Sequence, residues 1–517
     1  MFKQFASVGG LTLLSRLSGF ARDIIMAYVL GAGRLADAFL VAFRIPNHFR
    51  AIFAEGAFNA AYIPTYARLQ VEEGRGAAQR FYAQLFSMLI ASQVLLLLVA
   101  WLFMPQVIDL LAPGYRSEPA KFALALHLTR ITFPYLACIV LVTLHSATLN
   151  ANRHFAAAAF APILLNVCIG TCLALAFLFP NAAYAASYGV LVAGFVQMAF
   201  IMAVLRRTGF SESLAWPRWD ADMARFFRIL GPAVIGSAGV QIAIFADTII
   251  ASTLGDGAQA SINYADRLYL LPVGVIGVAA GTVLLPEMSR RLASKDASGA
   301  FGAQNMTLGV TLALTAPFFV AFLMIPDLLL KAAFMRGRFN VADAFAASRV
   351  LFAYALGLLA LVSIRPVVAG FQAMGDLKTP MYISLTAVVV NVALKLLLVR
   401  DLGAAGLAAA TAMGAWINVT LLAIFAYRRQ LFQPDGRLLA ILAATLNAAL
   451  WLAAWLFWAT GPLGRLTAPL HGWAVPLQVI ALAGSGGMIY GGLLLAQLRI
   501  MHIDVPLLAR FGRFLRV

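Results

Sequence analysis

Charge is scarce in this 517-residue chain. Asp, Glu, Lys and Arg together make up 11% of it, where soluble domains run near 25%. With 62% hydrophobic residues, this excludes an ordinary soluble fold and predicts a polytopic membrane protein. Cysteine is rarer still. Cys138, Cys168 and Cys172 fall in apolar stretches without loop partners, so neither a disulfide framework nor a zinc site is expected, and small core hydrophobes remain. Acids are also few, 21 against 38 Lys and Arg, for a net charge of +17. Nucleic acid is excluded as a partner because the basic residues form no soluble cluster; they sit at the ends of apolar segments and inside them. No cleavable signal peptide is expected, since no small-residue cleavage site follows the long first apolar stretch. The motifs GxSxG, HExxH and GxxxxGK[ST] and aspartate-rich metal loops are missing. The chain is therefore read as no enzyme, with no cofactor and no metal. Any work it does must draw on the membrane potential, protons, sodium, or consumption of a product.

A hydropathy window of about 19 residues places fourteen spans near 7–30, 35–66, 81–105, 122–150, 157–180, 184–205, 229–254, 259–289, 302–325, 345–372, 381–399, 403–427, 438–459 and 474–497. The second and eighth are long and contain Pro46 and Pro272, so each reads as one kinked or broken helix. An even number of spans puts both termini on one side. The loops on that side carry most of the Lys and Arg, among them Arg68, Arg75, Arg80, Arg206, Arg207, Arg290, Arg291, Arg428 and Arg429. Both termini are thus expected in the cytoplasm. The basic tail RFGRFLRV is either a solvated positive tail or an amphipathic surface helix.

An internal repeat underlies this order. DIIMAYVLGAG at 23–33 and DTIIASTLGDG at 247–257 share Asp23/Asp247, Leu30/Leu254, Gly31/Gly255 and Gly33/Gly257. IPTYARL and LPEMSRRL align Pro64 with Pro286, and TLNA at 148–151 stands opposite GFQA at 370–373. The expected fold is an all-α polytopic membrane protein with 14 transmembrane helices, as two six-helix repeats plus a C-terminal helix pair. The expected divisions are 1–222, 223–430 and 431–517. Repeats with an even number of spans share one topology and are related by an axis along the membrane normal.

Against this apolar background, charges inside spans are conspicuous, because each costs roughly 3 kcal/mol or more at the bilayer centre. The basic ones are Arg16, Arg22, Arg44, Arg50, Arg130, Arg267, Arg349, Arg365 and Lys395; the acids are Asp23, Asp37, Glu55, Asp247 and Asp266. The excess is arginine, whose planar fork suits phosphate, so an anionic ligand is favoured over a cationic one. Ser15, Ser18, Gly19 and Arg22 form one helical stripe. Asp23 shares a face with Arg16, and Asp37 with Arg44, each pair seven residues apart. Asp23 and Asp37 are read either as gating groups or as neutralising partners for Arg16 or Arg22. Arg44, Arg130 and Arg349 are read as snorkelling from span ends. A second constellation, Asp247, Asn391, Lys395 and Thr411, reads as ion coupling. There the Lys395 ammonium takes the place of a metal ion, favouring a fixed or protonation-switched Asp247–Lys395 pair over a sodium site.

The stretch SRLSGFARDIIMAYVLGAGRLADAFLVAFRIPNHFRAIFAEGAFNAAYIP closely resembles the MurJ (MviN) family of lipid II flippases, in the multidrug/oligosaccharidyl-lipid/polysaccharide exporter superfamily. YADRLYLLPVGVIGVAAGTVLLP and GFQAMGDLKTP resemble later motifs of that family. The resemblance implies a transporter of the bacterial cytoplasmic (inner) membrane for peptidoglycan biosynthesis. It would flip lipid II, an undecaprenyl-pyrophosphate-linked disaccharide-pentapeptide, to the outer leaflet by alternating access. It implies an arginine-rich cavity with substrate contacts at Arg16, Arg22, Arg50 and Arg267, and gating or pairing roles for Asp37 and Glu55; Asp23 and Asp266, the acids beside Arg22 and Arg267, are read as gating or pairing groups from their positions. It also implies a groove for the prenyl tail at spans thirteen and fourteen, with membrane lipid and cell-wall synthesis proteins as partners. Asp247, Asn391 and Thr411 match positions of a cation site in some relatives, where Lys395 replaces an acid. The rivals are a flippase for another polyprenyl-linked saccharide and a cation-coupled multidrug exporter; the arginine excess argues against the latter.

Overall fold

The structure is a computed structural model. It describes residues 2–52, 57–210 and 213–503, with side chains except those of residues 2–8, 49–52 and 235–240. The tail RFGRFLRV, Glu55 and the side chain of Arg50 lie outside the described residues. Every regular element among the described residues is helical. In order these are α1 (Phe2–Leu30), α2 (Arg34–Ile52), α3 (Phe58–Glu72), α4 (Arg75–Leu102), α5 (Met104–Leu111), α6 (Pro119–Thr132), α7 (Tyr135–Ala151), α8 (Phe155–Ala174), α9 (Ala182–Arg207) and α10 (Ala221–Ser252). Then follow α11 (Ala258–Pro272), α12 (Val278–Ala293), α13 (Ala297–Met324), α14 (Pro326–Phe334), α15 (Val341–Ala355), α16 (Leu358–Ala373), α17 (Lys378–Leu402), α18 (Ala404–Arg428), α19 (Gly436–Thr467) and α20 (Ala474–Ile500).

Long apolar runs force this outcome, because backbone polar groups in lipid must be satisfied within the segment. Among the described residues, ten segments are long and apolar enough to cross a membrane, and one of them, Gly436–Ile500, contains both α19 and α20. The element order accommodates fourteen crossings.

Several spans are broken where backbone chemistry requires it. Pro134 separates α6 from α7, since it lacks an N–H and clashes with the preceding turn. Gly357 separates α15 from α16; a Cβ there would lie 2.5 Å from Ala412 Cα, so only glycine admits this approach to α18. Pro272 ends α11 and a π-helical turn, Val273–Gly277, leads into α12. The eighth span is therefore one continuous but irregular helix. α2 runs through Pro46 to Ile52.

The repeat is visible helix by helix. α4, α5 and α6 begin at Arg75, Met104 and Pro119, and α13, α14 and α15 begin 222 residues later, at Ala297, Pro326 and Val341. Among the described residues, α19 and α20 have no counterpart in the first half.

The chain forms two compact units, 1–260 with 336–340, and 261–335 with 341–517. Sequence repeat and packing thus divide the chain differently, because α10 packs against α3 in the first unit. Phe226 meets Phe58 and Phe81 edge-on at 5.6 and 6.1 Å, and Arg68 pairs with Asp222. In that unit α1 lies along α8 and α2 along α6. In the second unit the added pair packs on α13 and α14. Its core contains Ala313, Val320, Ile441, Leu452 and Leu482, and the Tyr490 hydroxyl donates to the Ala313 carbonyl at 2.6 Å.

Candidate functional site

The polar stripe on α1 meets one polar residue of α8. Asn166 donates from Nδ2 to Ser18 Oγ at 2.9 Å and to the Ser15 carbonyl at 3.2 Å. Its Oδ1 accepts from Arg22 Nη1 at 3.1 Å. Arg22 also donates from Nε and Nη2 to Asp23 Oδ1, at 3.1 and 2.6 Å. Asp23 is buried at 1% exposure while the Arg22 side chain keeps 11%. The guanidinium is thus held from two sides in one orientation, with N–H groups left over beyond those three bonds. Arg16 is exposed and makes no ion pair among the described residues. The shared face of Asp23 and Arg16 therefore does not become a pair; Asp23 bonds its immediate neighbour instead.

Asp37 pairs elsewhere than its spacing from Arg44 suggests. Its carboxylate faces the Lys121 ammonium at 3.2 Å and accepts backbone N–H bonds from Gly257 at 2.8 Å and Ala260 at 3.0 Å. It caps the first turn of α11, where orphan N–H groups and the helix dipole favour an anion. Lys121, at the start of α6, is equally buried and bonds Asp256 at 2.6 Å. Its ammonium lies 4.6 Å over the Tyr115 ring. Gly257 has φ +88° and a Cβ there would overlap the Ala32 carbonyl oxygen, so the turn before α11 abuts the turn before α2. Arg44 donates from Nε to Thr248 Oγ1 at 2.7 Å, so it reaches α10 rather than simply snorkelling.

The other candidate residues fall in different places. Asp266 and Arg267 are neighbours on α11 in the second unit, half-buried, between Tyr264 and Tyr269. Asp247 lies on α10 in the first unit, and Asn391, Lys395 and Thr411 belong to the second. There Asn391 donates to the Ala410 carbonyl at 2.9 Å and Thr411 to the Leu407 carbonyl at 3.0 Å. Lys395 is one helical turn beyond Asn391 and buried at 1% exposure. An ammonium fixed on the face of Asn391 repels a second cation at that face.

Lys121, Asn166 and Thr248 were not singled out by sequence reasoning. Lys121 stands one residue before the fourth span and so counts as a loop residue by hydropathy. Asn166 is the one amide in the run FAAAAFAPILLNVCIG, and a buried polar group in an apolar helix signals a partner.

The model of the family described as "Lipid II flippase MurJ" matches residues 26–464. The chain belongs to the MurJ family of lipid II flippases. A probable lipid II flippase MurJ of Rhizobium meliloti (strain 1021) is 38% identical over 514 residues, covering 96% of each chain. One from Rhizobium tropici is 40% identical, covering 83% of this chain and 81% of that protein. The lipid II flippase MurJ of Burkholderia cenocepacia is 33% identical, covering 89% and 90%. Among solved structures, a lipid II flippase MurJ in an inward-closed conformation superposes with TM-score 0.77 at 22% identity, covering 96% of this chain and 99% of that one. An inward-facing multidrug-resistance MATE family transporter of the MOP superfamily gives 0.62 at 15% identity, over 82% and 97%. Those two likenesses concern the fold. MurJ proteins are transporters rather than enzymes, and this member is a multi-pass protein of the inner membrane. The family match begins after Arg16, Arg22 and Asp23, but the Rhizobium meliloti relative aligns over 96% of the chain.

Proposed function

We propose that this chain flips lipid II from the inner to the outer leaflet of the cytoplasmic membrane by alternating access, supplying precursor for peptidoglycan synthesis. Family membership over residues 26–464 carries the substrate assignment. The geometry that best supports an anion-binding role is the Arg22 guanidinium, locked by Asp23 and Asn166 with N–H groups to spare. In our reading Arg16 and Arg22 meet the pyrophosphate, and Arg50 and Arg267 serve the same head group. Asp23, Asp37, Glu55 and Asp266 pair or gate. Arginine suits this task because it stays ionised and presents paired donors to phosphate oxygens.

The prenyl tail has a place of matching chemistry in the second unit. A groove of about 350 Å³ is lined by Leu268, Phe318, Phe322, Leu329, Leu452 and Leu482, among others, on α11, α13, α14, α19 and α20. Its wall is nearly all hydrocarbon, which favours a polyprenyl chain over any polar part of the substrate. The buried Lys395 supports a cycle driven by membrane potential or protons over one coupled to sodium at Asp247, Asn391 and Thr411. Both termini are assigned to the cytoplasm from the Lys and Arg bias. Enzymes that polymerise the cell wall are the partners that would consume the product.

The test is complementation of a flippase-depleted bacterium combined with a leaflet-specific lipid II assay. The wild-type chain should restore lipid II to the outer leaflet, and Arg22→Ala should not, while remaining folded in the membrane. Normal outer-leaflet lipid II with Arg22→Ala would overturn the assignment of that residue.

A further inference from the structure

Residues 213–220, which lead into α10, turn large apolar side chains outward from a backbone with ties toward both flanking helices. Leu214, Trp216 and Trp219 are 72%, 85% and 69% exposed. On the α9 side, Arg75 donates to the Gly209 carbonyl at 2.7 Å and lies 4.6 Å over the Phe210 ring. The Ala215 N–H donates to Ser87 Oγ at 3.0 Å. On the α10 side, Asp220 accepts from the Met223 N–H at 2.8 Å, and Trp219 stacks on Phe227 at 5.4 Å. Fixed backbone with out-turned indoles is a built surface, and exposed aromatic clusters of this kind mark contacts with a partner or a membrane.

The tie to Ser87 sets the depth of this surface. α4 begins with Arg75 and the exposed Arg80, and its run of exposed large apolar side chains begins at Val94 and continues to Leu102. Ser87 is seven residues from Arg80 and seven from Val94, about 10 Å along the axis in each direction. Trp216, next to Ala215, is therefore held where the charged end of α4 passes into its lipid-facing part. That is the headgroup level, where indole rings concentrate.

Arginines outnumber acids here. Arg218 lies between the two tryptophans, and Arg225 and Arg228 are exposed on the first turns of α10. Against these three stand Asp220, turned to the α10 N-terminus as its cap, and Asp222, paired with Arg68. We propose that residues 214–228, leading into and along the first turns of α10, form a binding site for anionic phospholipid: Trp216 and Trp219 enter the interface beside the acyl chains, and Arg218 and Arg225 take the lipid phosphate. This site is independent of the lipid II assignment, because it reads bulk membrane lipid.

The test uses the full chain reconstituted in vesicles of phosphatidylcholine, with and without an anionic glycerophospholipid, one or the other carrying brominated acyl chains. The Trp216→Phe variant isolates by difference the emission of Trp216 from that of the other tryptophans. Brominated anionic lipid should quench Trp216 more effectively than brominated phosphatidylcholine at equal mole fraction. The preference should be on the order of fivefold per arginine, falling to about one in Arg218→Gln/Arg225→Gln. Equal quenching of wild-type Trp216 by both brominated lipids would overturn the anionic preference. No quenching by either, with Trp216 in water or against a protein, would overturn the membrane site. Wild type alone decides both outcomes if the arginine variant fails to fold, and neither reading depends on translocation.

Discussion

Asp37→Ala should release the start of α11 by an amount that can be worked out from its bonds. The carboxylate accepts two backbone N–H bonds, from Gly257 and Ala260, and faces the Lys121 ammonium. Hydrogen bonds to a charged group contribute about 1.5–3 kcal/mol each, and a lost helix cap costs about 1 kcal/mol. Stranding a buried cation would add several kcal/mol, but Lys121 keeps Asp256 at 2.6 Å, and Asp256 is 40% exposed. The net expectation is a local loss of about 3 kcal/mol, or roughly 100-fold in the opening equilibrium. Hydrogen–deuterium exchange of a peptide spanning 255–262 measures it in the purified protein. Exchange should quicken roughly 100-fold in Asp37→Ala and by roughly the square root of that in Asp37→Asn, which keeps one acceptor. A double-mutant cycle with Lys121→Met should show coupling of at least about 1 kcal/mol. Exchange within about threefold of wild type in a folded Asp37→Ala protein would refute the latch.

Asn166→Leu removes the second support of Arg22, so lipid II translocation should fall about tenfold or more with expression retained; unchanged leaflet distribution would show that Asp23 alone positions the guanidinium. The Asp376 carboxyl is held below its ordinary value of 3.8, chiefly by the Thr379 backbone N–H and hydroxyl and also by Arg429. Its folded pKa is lowered, so its contribution to stability is present above the unfolded value and is lost as pH falls through the folded one. Melting temperature should therefore lose its Asp376-dependent part only below about pH 4, and a wild-type minus Asp376→Ala difference that vanishes between pH 6 and 8 would contradict this. Tyr490→Phe removes the bond to the Ala313 carbonyl and should cost about 1 kcal/mol in thermal unfolding, loosening α20 from α13; no change would mean that apolar packing alone holds the pair.

Hydropathy located the helices because burial in lipid dictates length and composition together, and the repeat is legible because its glycines sit at helix ends, between α1 and α2 and between α10 and α11, and its Pro64 and Pro286 sit inside the equivalent helices α3 and α12. Pairing was less legible. Spacing on one helix reports which residues share a face, which leaves Asp23 a partner for Arg16 or Arg22 and sets Asp37 beside Arg44. The structure selects Arg22 for Asp23, because a long guanidinium arm turned by Asn166 reaches its neighbour. It joins Asp37 to Lys121, a residue 84 positions away. Breaks at Pro134 and Gly357 were hidden inside apolar runs whose mean hydropathy is indifferent to helix continuity. Arg50 and Glu55 lie where neither side chain is described, so their expected roles stand on the resemblance.

The charges in the first two helices have separate physical fates, and this bears on which of them can serve a moving anion. Asp37 and Lys121 are both 1% exposed and are occupied by each other, by helix N–H groups and by Asp256. Such groups hold residues 256–260 against α2 and α6 within the first unit, since separating Asp37 from them leaves a buried charge without its partners. Arg22 is different: Asp23 cancels much of its charge, but Asn166 rather than a second acid holds its other arm. Arg16 is exposed with no acid paired to it among the described residues. A pyrophosphate arriving at α1 would therefore meet one uncompensated arginine and one pre-oriented arginine. The repeat places Val240 and Ala246 at the corresponding positions of α10. The two halves share a scaffold, but only α1 carries this pair, so loss of Arg16 or Arg22 should not be compensated by the equivalent helix of the other half.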